Sequence, residues 1–222
     1  MASVSVYSTA ASDAVIYSRN GTSFAATRDA TNGTSMGRTT RSSAFGVRAS
    51  RLPGRGGGYL WYVNRSFFYF AVSELDADYS DYTATLNIYG VTFSTASLFA
   101  VKSNYSAEVT TADFDAIVGW DGSGLVDNTD NVTKYSEKVT SWSTSGYNSI
   151  PLNAQLLTDI GNDDEVKIAL IESEYDLKGV DPEGAGVYSG MYYSDYPGTS
   201  LDPYIELTEP ITGNSIFFGA NF

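Results

Sequence analysis

The stretch YLWYVNRSFFYF, Tyr59 to Phe70, decides how this chain folds. Eight of its twelve residues are Tyr, Trp, Phe or Leu, and Arg65 is its one charge. In an extended chain successive side chains point to opposite faces. Phe68 and Phe70 therefore share one face, and Phe67 and Tyr69 share the other. One pair belongs in a core. The other needs a cover, which the long 19–43 segment of this chain or another subunit can supply, or a sugar. The first half, Tyr59–Val63, follows a glycine run and reads less like core.

The same period of two runs through most of the chain. YTATLNIYG sets Tyr82, Ala84, Leu86 and Ile88 against Thr83, Thr85, Asn87 and Tyr89. EVKIALIE sets Val166, Ile168 and Leu170 against Lys167, Ala169 and Ile171. Further strands are predicted at VSVY, DAVIYS, AFGVRAS, SLFAVK, SEKVTSW, NSIPLN, PYIELT and SIFF. All are rich in the residues that suit a pleated, half-buried surface. Two short helices are predicted. TADFDAIVG takes Thr111 as its N-cap and Gly119 as its stop, and NAQLLTDIG takes Asn153 and Gly161. The fold class that follows is all-β: a jelly-roll β-sandwich of two antiparallel sheets with one or two short helices in loops. Residues 1–222 form a single domain with a core at about 60–209. An Arg-rich, loop-containing region spans 1–58, and an apolar tail spans 210–222. The three successive glycines of RLPGRGGG predict a flexible turn with close backbone approach.

Composition excludes whole classes of chemistry. The chain has no Cys and no His. That removes thiol nucleophiles, disulfides, Ser-His-Asp relays and nearly every zinc, copper or haem site. MASVSVYSTA lacks a basic segment followed by an apolar run, so no signal peptide is expected. No segment approaches the ~20 apolar residues of a membrane span. Assembly in a host cytoplasm is expected.

The net charge of −13 is unevenly spread. Met1 to Arg65 carries eight Arg and two acids, a net +6. The remainder carries five Lys and 24 acids, a net −19. A basic end and an acidic body point to head-to-tail contact or to docking on an acidic partner. The acidic body would repel phosphates, so no nucleic acid is expected.

The sequence holds three kinds of candidate site. Carboxylate pairs for glycoside hydrolysis exist at Asp113/Asp115, Asp163–Glu165 and Glu172/Glu174, but such acids also serve as solvated loop and edge residues. The segment DGSGLVDNTDN offers Asp121, Asp127 and Asp130 to a calcium ion, without fitting an EF-hand loop. No other metal or cofactor is expected. Aromatic rings that could lie against a sugar or anchor a protein are Trp61, Trp120, Trp142, Tyr188, Tyr192, Tyr193 and Tyr196.

RSFFYFAVSELDADYSDYTATLNIYG (65–90) resembles the start of the DNRLRE-type jelly rolls, a set related to carbohydrate-binding modules. YSEKVTSWSTSGYNSIPLN, EVKIALIESEYD and DPYIELTE resemble later strands, so the likeness covers roughly 60–209. Ala71 departs from it, standing where an acid commonly follows the Phe. The whole chain, with its NSIFFGANF end, is also similar to small structural proteins of tailed phages. The resemblance implies a non-enzymatic virion protein, a capsid decoration, cement or fibre-like protein. Its partners would be other copies of itself and virion proteins such as the major capsid protein. Arg19, Arg28, Arg38, Arg41, Arg48, Arg51 and Arg55 would dock on acidic surface, since the Arg fork suits carboxylates. Ile216, Phe217, Phe218 and Phe222 would seal a contact. The alternative is a module that recognises host surface glycans.

Overall fold

A computed structural model describes residues 3–9, 12–37, 42–75, 78–106, 108–184, 186–194, 198 and 200–210. Arg38, Arg41, Tyr196, the SIFF strand and the four apolar tail residues lie outside them. The fold is an all-β sandwich with two short helices, as the alternating sequence predicts.

The quoted stretch is the central strand β5 (Tyr59–Ala71). It pairs with β2 (Ala14–Asn20) along one side. Along its other side it pairs first with β4 (Ser42–Pro53) and then, further along, with β9 (Glu165–Glu172). β3 (Ser35–Gly37) extends the sheet beyond β2, and β7 (Leu98–Lys102) extends it beyond β9. The second sheet is built on β6 (Thr83–Ser94), flanked by β8 (Tyr147–Leu152) and β11 (Tyr204–Thr208). β1 (Ser3–Tyr7) adds to β11. The far half of β6 pairs with β10 (Val187–Tyr192), which pairs in turn with β4, and so the sheets are joined.

The parity of β5 sorts its aromatics. Phe68 and Phe70 enter the core between the sheets, with Ile168 and Leu170 of β9 and Leu86, Ile88, Ile150 and Ile205 opposite. Phe67 points out of the sandwich into a second core with Ile16, Val63, Val101, Ala169 and Ile171. This chain itself covers that face. Phe24 of α1 (Phe24–Arg28) and Tyr105, Phe114, Ile117 and Val132 from the 103–132 segment pack over it. Burying each Phe contributes about 1.5–3 kcal/mol.

Local chemistry explains the helices. Asn153 caps α2 (Ala154–Asn162), accepting from the Gln155 and Leu156 N–H groups. TADFDAIVG forms only one 3-10 turn, Thr111–Asp113. Its cap is Thr110, whose side chain exchanges hydrogen bonds with Asp113 in a capping box. α1 is an element the sequence does not announce. Its cap is Ser23, and five residues leave no period to read. SEKVTSW makes isolated bridges at Ser136 and Val139 in place of a strand. The glycine turn also differs from expectation. Gly56, Gly57 and Gly58 all have φ near +90°, with nothing within 4 Å of an added Cβ. Their backbone angles, and not close approach, call for glycine.

Candidate docking site at the basic end of the sheet

Beyond the buried core, the inner face of the sheet continues into an open pocket of about 480 Å3. Strand register builds it. Asn64 of β5 stands between Tyr17 of β2 and Arg48 of β4, and Arg48 stands opposite Tyr188 of β10. The next row sets Tyr62 opposite Arg19 and Ser50. Directly paired residues share a face, so two Arg and three Tyr gather where sequence spacing alone shows no cluster. Phe45, Thr34 and Ser35 complete the wall.

Arg48 is the chemical centre of the pocket. Its guanidinium carbon lies 4.6 Å from the Phe45 ring centroid and 4.4 Å from that of Tyr62. The Phe45 ring meets Tyr188 edge-on at 4.9 Å. The Nε of Arg48 donates to Ser50 Oγ at 2.7 Å. No carboxylate pairs with Arg48 among the described residues. Burial pulls its pKa below the ordinary value, and neighbouring Tyr62 and Tyr188 offset this only in part. Asn64, 1% exposed, donates from Nδ2 to the Phe45 carbonyl at 2.6 Å, while its Oδ1 has no hydrogen-bond partner. Among the described residues the pocket thus offers a cation without an anion, an acceptor without a donor, and aromatic walls.

Arg28 and Arg65 show the contrast. Both are fully buried beneath the 103–132 segment. Arg65 holds Asp176 with two bonds, Nε to Oδ2 at 2.9 Å and Nη2 to Oδ1 at 2.7 Å, and donates to the Phe114 carbonyl at 2.8 Å. Arg28 pairs with Asp29 and donates to the carbonyls of Asp176, Val126 and Leu177. Both guanidiniums stack on Trp120, at 4.4 and 4.0 Å from its centroid. Arg28 therefore cannot dock on a partner: it ties α1 to the 172–181 turn. Arg51 is half-buried over the Tyr59 ring at 4.5 Å, and Arg55 is exposed in the glycine turn.

The other expected sites are dispersed. Trp61 donates to Asp181 at 2.8 Å, Trp120 belongs to the buried ionic centre, and Trp142 is buried and donates to the Gly190 carbonyl. The three Trp do not form one platform. Tyr193 is buried against Ser66, and Tyr192 packs on Tyr89, so among the described members of that cluster only Tyr188 stands beside the pocket, against Phe45 and opposite Arg48. Asp121 and Asp127 accept from the Ser123 and Thr129 N–H groups in tight turns. Among the described residues no group of three Asp or Glu is placed to hold a metal, so Asp121, Asp127 and Asp130 do not gather. Each set of carboxylates has members committed elsewhere. Asp113 caps the 3-10 turn, Glu172 accepts three backbone N–H groups, and Glu174 bridges Lys138 and Lys178. Asp163–Glu165 border a second hollow, where Glu165 pairs with Lys167 and Lys102 pairs with Asp159 at 3.0 Å.

Reasoning from sequence missed Tyr17, Phe45, Tyr62 and Asn64. The signal was there in the period of two, Tyr17/Arg19 and Tyr62/Asn64, but only register joins those strands. Compared with known proteins, the chain matches no family model and no curated protein.

Proposed function

We propose that this is a non-enzymatic structural protein that works by docking, through its Arg48 face, onto the carboxylates of an acidic partner. In the setting that the tailed-phage resemblance suggests, the partner is a virion protein. One observation carries the reading: Arg48 lies half-buried between two rings with no carboxylate partner among the described residues, while the buried Arg28 and Arg65 are both paired. A desolvated cation held in place by aromatic walls gains an ion pair on docking with little loss of side-chain freedom. Mass spectrometry of purified particles tests this. The wild-type chain is expected in particles, and Arg48→Glu is expected to fold yet be lost from them. Absence of the wild-type chain, or equal incorporation of both, contradicts the proposal.

The unpartnered Asn64 Oδ1 favours one second reading, a sugar hydroxyl donating to it while a ring face lies on Tyr62 or Tyr17. A glycan array with the wild type and Tyr62→Ala separates the two. Binding that depends on Tyr62 and not on salt supports the sugar.

A further inference from the structure

The charge asymmetry of the sequence becomes a geometric one along β5. Its starting end carries Arg19, Arg48, Arg51 and Arg55. Asp181 stands at the same end, where it accepts from Trp61. At the finishing end, Ala71 pairs with Glu165, and the Val72 N–H donates to the Asp164 carbonyl at 2.9 Å. There the α2–β9 turn and the β5–β6 connection present Asp163, Asp164, Glu74, Asp78 and Asp81 to solvent. None of these five has an ion pair among the described residues, whereas Lys102 and Lys167 beside them are taken by Asp159 and Glu165. Tyr62 and Ala71 are separated by about 30 Å of strand. Among the described residues the molecule is therefore electrically polar along one strand, with a cation site that lacks a carboxylate at one end and carboxylates that lack ion pairs at the other.

We propose that copies of this chain associate head to tail, the Arg48 pocket of one copy taking the carboxylates of the β5–β6 and α2–β9 turns of the next. This rests on the reading of the Arg48 face as a docking site and names a second copy as its occupant. Such a contact joins different patches on the two partners, so it grows into rings or filaments and not into closed two-fold dimers. Because the contacts are charged and partly exposed, salt weakens them.

Sedimentation velocity over a concentration series tests this, at about 0.05 M and about 0.5 M salt. The wild type should show species larger than a dimer at low salt, with association at least about tenfold weaker at high salt. R19E/R48E and D163K/D164K should each remain monomeric while keeping the wild-type circular dichroism and melting profile. Mixed together they should associate again, since each reversed end then meets its complement. A wild type that stays monomeric at low salt overturns the proposal. So does association that ignores both reversals, or single variants that stay apart when mixed. If the wild type is monomeric while Arg48→Glu is still lost from particles, self-association fails and docking on another acidic partner stands.

Discussion

At the scale of single residues, the buried charges bear the most weight. Arg65 is legible in the sequence as the one charge in an aromatic run, but its purpose is not, because Asp176 lies 111 residues away. Removing one partner of a buried pair leaves the other desolvated, at a cost of about 3–5 kcal/mol. Asp176→Asn should show that loss in urea unfolding, and a loss below about 1 kcal/mol would mean the carbonyls alone hold both guanidiniums. Two carboxyls act in the opposite sense. Burial raises Asp13 to about 7 against hydrogen bonds from Ser8 and Tyr69, and raises Glu172 to about 7 against three backbone N–H groups. The folded protein then holds these protons more tightly than the unfolded chain, in which such groups titrate near 4. Their contribution is complete below about pH 4, is lost as pH rises toward about 7, and changes little above. Thermal unfolding should therefore give a higher melting temperature at about pH 5 than at about pH 8, and Asp13→Asn should flatten that slope. Glu174, held at about 2 by Lys178 and Lys138, acts only at more acid pH and with opposite sign. An Asp13→Asn profile as steep as the wild type would count against the role of Asp13.

Elements differ in how openly the sequence declares them. β6 and β9 are legible because both alternate cleanly and are bounded by turns. β10 is not, because VYSGMYY carries a Gly and a register shift between Ser189 and Met191 that breaks the period. β5 carries apolar residues on both faces, which shows that two layers cover it but not what the second layer is. That layer is irregular chain from 103–132 with α1, elements whose only sequence marks are short caps. Phe67→Ala should cost about 3–5 kcal/mol, as a large core truncation does, because the cover belongs to the same chain. A change below about 1 kcal/mol would place Phe67 outside any well-packed core. Glycines divide by element too. Gly186 has φ +73°, and an added Cβ would lie 2.0 Å from Ser50 Cβ, so Gly186→Ala must displace β4 against β10. Gly57→Ala meets no atom and should cost only the ~1–2 kcal/mol of a left-handed backbone. Equal melting temperatures for the two variants would contradict this.

Across the whole molecule, the sequence shows charge divided between its first 65 residues and the rest, and the fold turns that division into two ends of one strand. Arg28 and Arg65 drop out of the basic count because they are buried and paired, and the remaining Arg at the start of β5 are exposed or half-buried. A position along the chain cannot reveal that subtraction, since it depends on which arginine finds Asp176. The two ends are complementary in charge and set apart along β5. The lack of native Cys allows this complementarity to be tested by placing single thiols. Thr34 borders the Arg48 pocket and Ser73 lies in the acidic turn, and both are exposed. When Thr34→Cys and Ser73→Cys copies are mixed and oxidised at low salt, the mixed disulfide dimer should dominate over either homodimer and should fade at high salt. No cross-link, or homodimers as abundant as the mixed dimer, would contradict the account.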